Sequence, residues 1–209
     1  MLYLFDLGGV VIHGGEPNTS TANAQAFERA FKIKAGAFND LKKTWYHNWA
    51  DFCRGLISED EFWQRYLKDA GARQIDVAKA KGIYRDLTYI DEAMLALVKG
   101  LGAKARVAAL TNISHEWLKF YKQAFDIERY FSPIVASCEL GVAKPDKAAF
   151  EASLEILSAQ PGCADLQTKP EEVIFIDNSD WNMAPARELG MKAILFTAAE
   201  DLKKKIFNL

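Results

Sequence analysis

The sequence predicts an α/β fold, a doubly wound, Rossmann-like parallel sheet that carries a small all-helical cap. Three observations lead there. Four apolar runs stop abruptly near small polar or charged residues: Leu2-Tyr3-Leu4-Phe5 at Asp6, Arg106 to Leu110 at Thr111-Asn112, Ile134-Val135-Ala136 ahead of Gly141 to Pro145, and Val173 to Ile176 at Asp177-Asn178. From about Asp91 onward, strand-like runs alternate with helical periodicity, a βαβ series that builds a parallel sheet covered by helices. Between the first and second runs, residues 16–88 carry helical periodicity and no convincing strand.

The elements follow in order. A buried first strand ends at Asp6 and turns at Gly8-Gly9, and Val10 to Pro17 reads as a loop. Within residues 16–88, Phe27 with Phe31, Trp45 with Trp49 and Phe52, and Phe62 with Trp63 and Tyr66 recur at three- and four-residue spacing, placing them on single helix faces. Ser58-Glu59-Asp60-Glu61 is a capping-box pattern that starts one of these helices. Residues 16–88 therefore form a cap inserted into a core made of residues 1–15 and 89–209. Beyond it come a helix through Met94, Leu97 and Val98, a strand to Leu110, a helix holding Trp117, Leu118 and Tyr121, and a strand near Ile134. A helix at about 146–158, a strand at 173–176, a helix after Trp181 and a last strand at Ala193 to Phe196 complete the series. Ser158 to Pro170 is long for such a connection and reads as a surface excursion.

Composition narrows the function. Of 209 residues, 50% are hydrophobic, enough for a sizeable core, and a net charge of -2 argues against a strongly electrostatic nucleic-acid or membrane partner. The short basic run Lys203-Lys204-Lys205 reads as a solvated helix face. Cys53, Cys138 and Cys163 are odd in number, far apart and without metal-ligand spacing, which fits a reducing compartment. The chain enters its first apolar run without a basic leader, so a cytoplasmic protein, monomer or homodimer, acting on a small molecule is the expectation.

The chemistry lies where the runs end. Open parallel sheets bind ligands outside the carboxyl ends of their strands, so Asp6, Thr111-Asn112, Lys144 and Asp177-Asn178 could share one crevice. A carboxylate beside a glycine turn suits attack on phosphorus, provided a cation and several donors offset the repulsion between two anions. Thr111 offers a hydroxyl, Asn112 an amide and Lys144 a fixed positive charge.

In that order, these residues resemble the four motifs of the haloacid dehalogenase-like (HAD) hydrolase superfamily, and the likeness runs from Asp6 to the segment Asn182-Met183-Ala184-Pro185-Ala186-Arg187-Glu188-Leu189-Gly190. The resemblance implies an Asp6 nucleophile that forms an aspartyl-phosphate, with Lys144 as its catalytic partner. It implies phosphate binding by Leu7, Gly8, Thr111, Asn112 and Lys144, and a Mg²⁺ ion held by Asp6, the Gly8 carbonyl, Asp177 and Asn178. The partner would be a small phosphate ester.

Two positions depart from the family pattern. Gly8 stands where these phosphatases carry a second aspartate, so the carbonyl is kept and the general acid is lost; His13 is the nearest titratable residue in the loop. Asn178 replaces an acid that usually binds metal, which calls for compensation by Asp177 or Asp180, although Asp180 also suits the first turn of a helix. The Asp-Leu-Gly start is similar to a branch that includes glucose-1-phosphate phosphatases, which also lack the second aspartate. The rival readings are a metal-independent 2-haloacid dehalogenase and a non-catalytic phosphate-binding or interaction protein.

Overall fold

A computed structural model describes residues 1–17, 20–40, 42–160 and 168–207, with the backbone alone for 39–40 and 42–46. The Trp45 side chain, Cys163 and most of the excursion after Ser158 lie outside the described residues. The chain opens with β1 (Leu2–Phe5) and β2 (Ile12–His13), then runs through α1 (Thr21–Phe31), α2 (Ala37–Asp40), α3 (Lys42–Phe52), α4 (Glu59–Asp69) and α5 (Val77–Leu87). It continues with β3 (Tyr89–Ile90), α6 (Glu92–Gly102), β4 (Arg106–Thr111), α7 (His115–Phe125), β5 (Ile134–Ala136), α8 (Ser137–Leu140) and α9 (Lys147–Ser158). The last elements are β6 (Val173–Asp177), α10 (Met183–Glu188), β7 (Lys192–Leu195) and α11 (Ala199–Phe207).

Five parallel strands form the sheet in the order β5-β4-β1-β6-β7. Its central strands are apolar throughout because both faces are covered, and residues alternate between two cores. Tyr3, Phe5, Val107, Ala109, Ile174 and Ile176 face one core, while Leu2, Leu4, Ala108, Leu110, Val173 and Phe175 face the other with Phe150 of α9 and Met183 of α10. The sheet grows from β1 through β4 to β5, then returns to the far side of β1 for β6 and β7. That reversal opens a crevice between β1 and β6, and Phe5 pairs with Ile176 so that Asp6 and Asp177 both emerge there.

The first core does not stop at the sheet. Phe27, Phe52, Phe62, Trp63, Tyr66 and Tyr84 of the inserted helices join Trp117 and Tyr121 of α7 in one continuous cluster. Phe52 stacks on Phe62 at 4.5 Å, and Tyr84 stacks on Trp117 at 3.8 Å. Full burial of each such ring stabilises by roughly 1.5–3 kcal/mol, so the insertion is anchored to α7 by packing. Ser20, Ser58, Asp76, Asp91, Ser114 and Asp146 each accept a backbone N–H at a helix start, the local reason these helices begin where they do.

Three details correct the sequence reading. Residues 10–17 are not wholly a loop, and a strand precedes β4: Ile12 and His13 pair antiparallel with Ile90 and Tyr89 where the chain leaves and re-enters the core. A two-residue strand carries no periodic signal. Gly15 makes this crossing possible, with φ at +86° and a position where a Cβ would lie 2.4 Å from Thr88 Oγ1. Only half of the capping box forms, because the Glu61 carboxylate pairs with Arg65 instead of returning to Ser58.

Lys203, Lys204 and Lys205 are exposed on α11, as read from the sequence. Cys53 and Cys138 are buried free thiols. Among the described residues no helix is long and apolar enough to cross a membrane.

Candidate active site

A cavity of about 890 Å³ opens at the carboxyl ends of β1, β4 and β6, and Asp6, Gly8, Thr111, Asn112, Lys144, Asp177 and Asn178 all line it. Strand register explains the convergence: each of these residues lies at or just beyond the end of a buried strand, except Lys144, which follows the single turn of α8 after β5. At its centre Lys144 Nζ lies 3.1 Å from Asp6 Oδ1 and 2.6 Å from Asp177 Oδ2.

Asp177 is 0% exposed and fully engaged. Its Oδ2 also accepts from Asn182 Nδ2 at 2.9 Å, and its Oδ1 accepts from the Ser179 N–H at 2.8 Å. Asp6 is less well served. Burial pushes its carboxyl up to about 6, Lys144 pulls in the opposite direction, and the Asp177 charge adds to the rise. Burial alone would lower the Lys144 ammonium, but the facing Asp177 and Asp6 charges raise it, so the lysine stays protonated.

Asn112 serves the lysine. Its Oδ1 accepts the Lys144 N–H at 2.9 Å and its Nδ2 donates to the Lys144 carbonyl at 2.8 Å, so both ends of the amide expected to hold phosphate are committed to that loop. Thr111 is buried at the end of β4 and reaches the cavity. In the turn after β1, the Leu7 carbonyl accepts the N–H groups of Val10, Val11 and Ile12, and a backbone hydrogen bond from Leu7 supports the Asp6 carboxylate. Gly8 is exposed to the cavity, and a Cβ there would meet nothing within 4 Å. Gly9, at φ +75°, lets Asn178 approach so closely that a Cβ would fall 2.2 Å from its Nδ2.

The donor set for a divalent cation is thin: the Asp6 carboxylate, the Gly8 carbonyl, the Asn178 amide and what remains of Asp177. Among the described residues no group of three or more His, Cys, Asp or Glu side chains is arranged to hold a metal. Asp180, considered as a substitute, is exposed and lies off the cavity. The set still fits Mg²⁺, which is commonly held by one or two carboxylates and completes its shell with water and substrate phosphate. Two carboxylates around one lysine leave one negative charge unmatched.

Several cavity residues had no sequence signal. Asn182 braces Asp177 from five residues downstream. Glu16, Trp49 and Tyr121 face the site from the insertion and α7, and Trp181, 83% exposed, stands at its edge. Their recurrence at helical or loop positions is indistinguishable in sequence from packing. His13 also lines the cavity, its Nε2 3.8 Å from Asp91 Oδ2 and its ring stacked on Tyr89.

Residues 1–190 match the family model for haloacid dehalogenase-like hydrolase. Among curated proteins, the chain is 27% identical to drimenol cyclase drtB of Aspergillus calidoustus over 77% of its own length and 30% of that protein. It is 30% identical to flavin mononucleotide hydrolase 1 of Arabidopsis thaliana over 77% of its length and 61% of that protein, so it spans less than two thirds of either. Among solved structures, a HAD family enzyme of Bacteroides thetaiotaomicron in complex with magnesium superposes with a TM-score of 0.72 at 25% identity, covering 98% of this chain and 96% of that one.

Proposed function

The chain belongs to the haloacid dehalogenase-like hydrolase family, and on that premise we propose that it is a Mg²⁺-dependent phosphatase acting on a small phosphate monoester, sugar phosphates included. The observation that carries this reading is the unmatched negative charge of the buried Asp6-Lys144-Asp177 cluster, which draws a divalent cation, and the bound cation in turn draws an anionic phosphate. The magnesium complex of the Bacteroides enzyme and the flavin mononucleotide hydrolase activity named for the Arabidopsis relative support it.

Lys144 holds the nucleophile through Oδ1, leaving Oδ2 of Asp6 to attack phosphorus and form an aspartyl-phosphate. The Thr111 hydroxyl, the Lys144 ammonium and the backbone N–H groups of Gly8 and Asn112 take the phosphate oxygens, while the Leu7 N–H expected among them serves the Asp6 carboxylate. Asp177 acts through Lys144: with both its oxygens engaged, it fixes the ammonium between the two carboxylates. Asp6, Gly8 and Asn178, with Asp177 through its Oδ1, which among the described residues accepts only the Ser179 N–H, would hold Mg²⁺, which when bound neutralises charge between nucleophile and phosphate. Residues 16–88 act as the cap of a core formed by 1–15 and 89–209. Glu16 and Trp49 close one side of the cavity and exclude water.

Release of inorganic phosphate from a panel of monoesters, with Mg²⁺ and with chelator, tests the reading, with halogenated acids assayed in parallel. Metal-dependent phosphate release is expected. Halide release under chelation, or no turnover of any ester, would overturn it.

A further inference from the structure

The first motif lacks an acid at Gly8, and the cavity contains one elsewhere. Glu16 stands where the chain leaves β2 for α1 and lines the cavity that holds Asp6, Thr111 and Lys144. Its backbone is clamped on both sides. Its carbonyl accepts Asn23 Nδ2 at 3.1 Å, and Gly15 before it lies so close to Tyr84 that a Cβ would fall 2.5 Å from the ring. On α7, Tyr121 lines the same cavity as Glu16 and Asp6, and its hydroxyl shares a 3.0 Å hydrogen bond with the Tyr84 hydroxyl.

Resting on the phosphatase reading, we infer that Glu16 is the general acid and base that replaces the carboxyl missing at Gly8. As the Asp6 oxygen bonds to phosphorus, the bond from phosphorus to the leaving oxygen breaks, and that oxygen takes its electron pair and the Glu16 proton to leave as an alcohol. Water then attacks the aspartyl-phosphate and gives a proton to Glu16. The bond from phosphorus to the Asp6 oxygen breaks, and phosphate, the Asp6 carboxylate and protonated Glu16 result.

Chemistry agrees with position. Burial pushes the Glu16 carboxyl up to about 7, where an acid is both present and able to donate near neutral pH. Among the described residues, the titratable groups that share its cavity are Tyr121, His13, Asp6, Lys144 and Asp177, with Tyr84 packed against Gly15 beside it, and burial holds both phenols protonated.

The test uses the full chain with Mg²⁺ and compares an alkyl phosphate with 4-nitrophenyl phosphate. Glu16→Gln should lower kcat/KM for the alkyl ester by roughly 10²–10³-fold and leave the nitrophenyl ester within about threefold, because its good leaving group needs no proton. The alkaline limb near pH 7 should vanish, and Gly8→Asp in the Glu16→Gln background should recover part of the loss, since Gly8 has room for a side chain. At pH 8 the variant should melt no lower than the wild type, because it removes a carboxylate that burial disfavours. Equal losses on both esters, a persistent alkaline limb, or a limb removed by His13→Asn would overturn the assignment. A wild type inactive on both esters would instead overturn the phosphatase reading, and the role of Glu16 with it.

Discussion

Among the described residues, two ionic clusters are each built on a buried charged side chain, Glu59 in one and Lys144 in the other, and they differ in charge balance. In the insertion, Glu59 on α4 is almost fully buried and surrounded by partners. Arg85 of α5 grips both its oxygens at 3.0 and 2.9 Å, Lys81 lies 3.6 Å away, and Trp117 Nε1 of α7 donates at 3.0 Å. Lys81 also pairs with Asp60, so two acids meet two bases and the cluster closes on itself. Around Lys144, by contrast, two acids share one base, and the Asp6 carboxyl rises to about 6. A balanced cluster holds elements together; one short of a cation keeps a reactive carboxylate and a place for substrate and metal.

Neutralising each cluster in turn separates their roles. Asp6→Asn should lower turnover by on the order of 10³-fold or more, since it removes the nucleophile with a nearly isosteric group. The same change should not cost stability near neutral pH. A carboxyl raised in the folded state binds more protons there than in the unfolded chain, so its ionisation destabilises increasingly as pH rises from about 4 to about 6. Urea midpoints should therefore favour the variant at pH 8, by on the order of 1 kcal/mol or more, with the difference fading toward pH 4.

Glu59→Ala should do the reverse. It leaves two buried indole N–H groups without an acceptor, while Arg85 keeps the Lys81 carbonyl and solvent, and a loss of about 2–4 kcal/mol is expected by chemical denaturation. A loss below about 1 kcal/mol would show that aromatic packing alone holds the insertion to α7.

Asn178→Asp adds a charge to the unbalanced cluster, so the Mg²⁺ concentration for half-maximal activity should fall several-fold. The same substitution without metal should lower the melting temperature slightly through added repulsion. An unchanged Mg²⁺ dependence would remove Asn178 from the metal site.

What could be read from the sequence follows the same division. Asp6, Thr111, Lys144 and Asp177 were legible because each ends or follows a buried apolar run, and strand order then brings them together. Glu59 was not, because an acid in the first turn of a helix reads as a solvated group that suits the helix dipole. Glu16 sits in a Gly-Gly-Glu-Pro stretch that signals only a loop, and the two-residue β2 and β3 beside it fall below any periodic pattern. The alternation of buried strands fixed the sheet, whereas contacts between the insertion and α7 depend on side-chain partners far apart in sequence.

The central claim is that Asp6 takes the phosphoryl group. Acid-quenching the enzyme during turnover of a monoester with Mg²⁺, followed by peptide mapping by mass spectrometry, measures this directly. One phosphoryl group is expected on the peptide containing Asp6, absent from Asp6→Asn and from chelated enzyme. A phosphoryl group on any other residue, or steady turnover by Asp6→Asn, would contradict it.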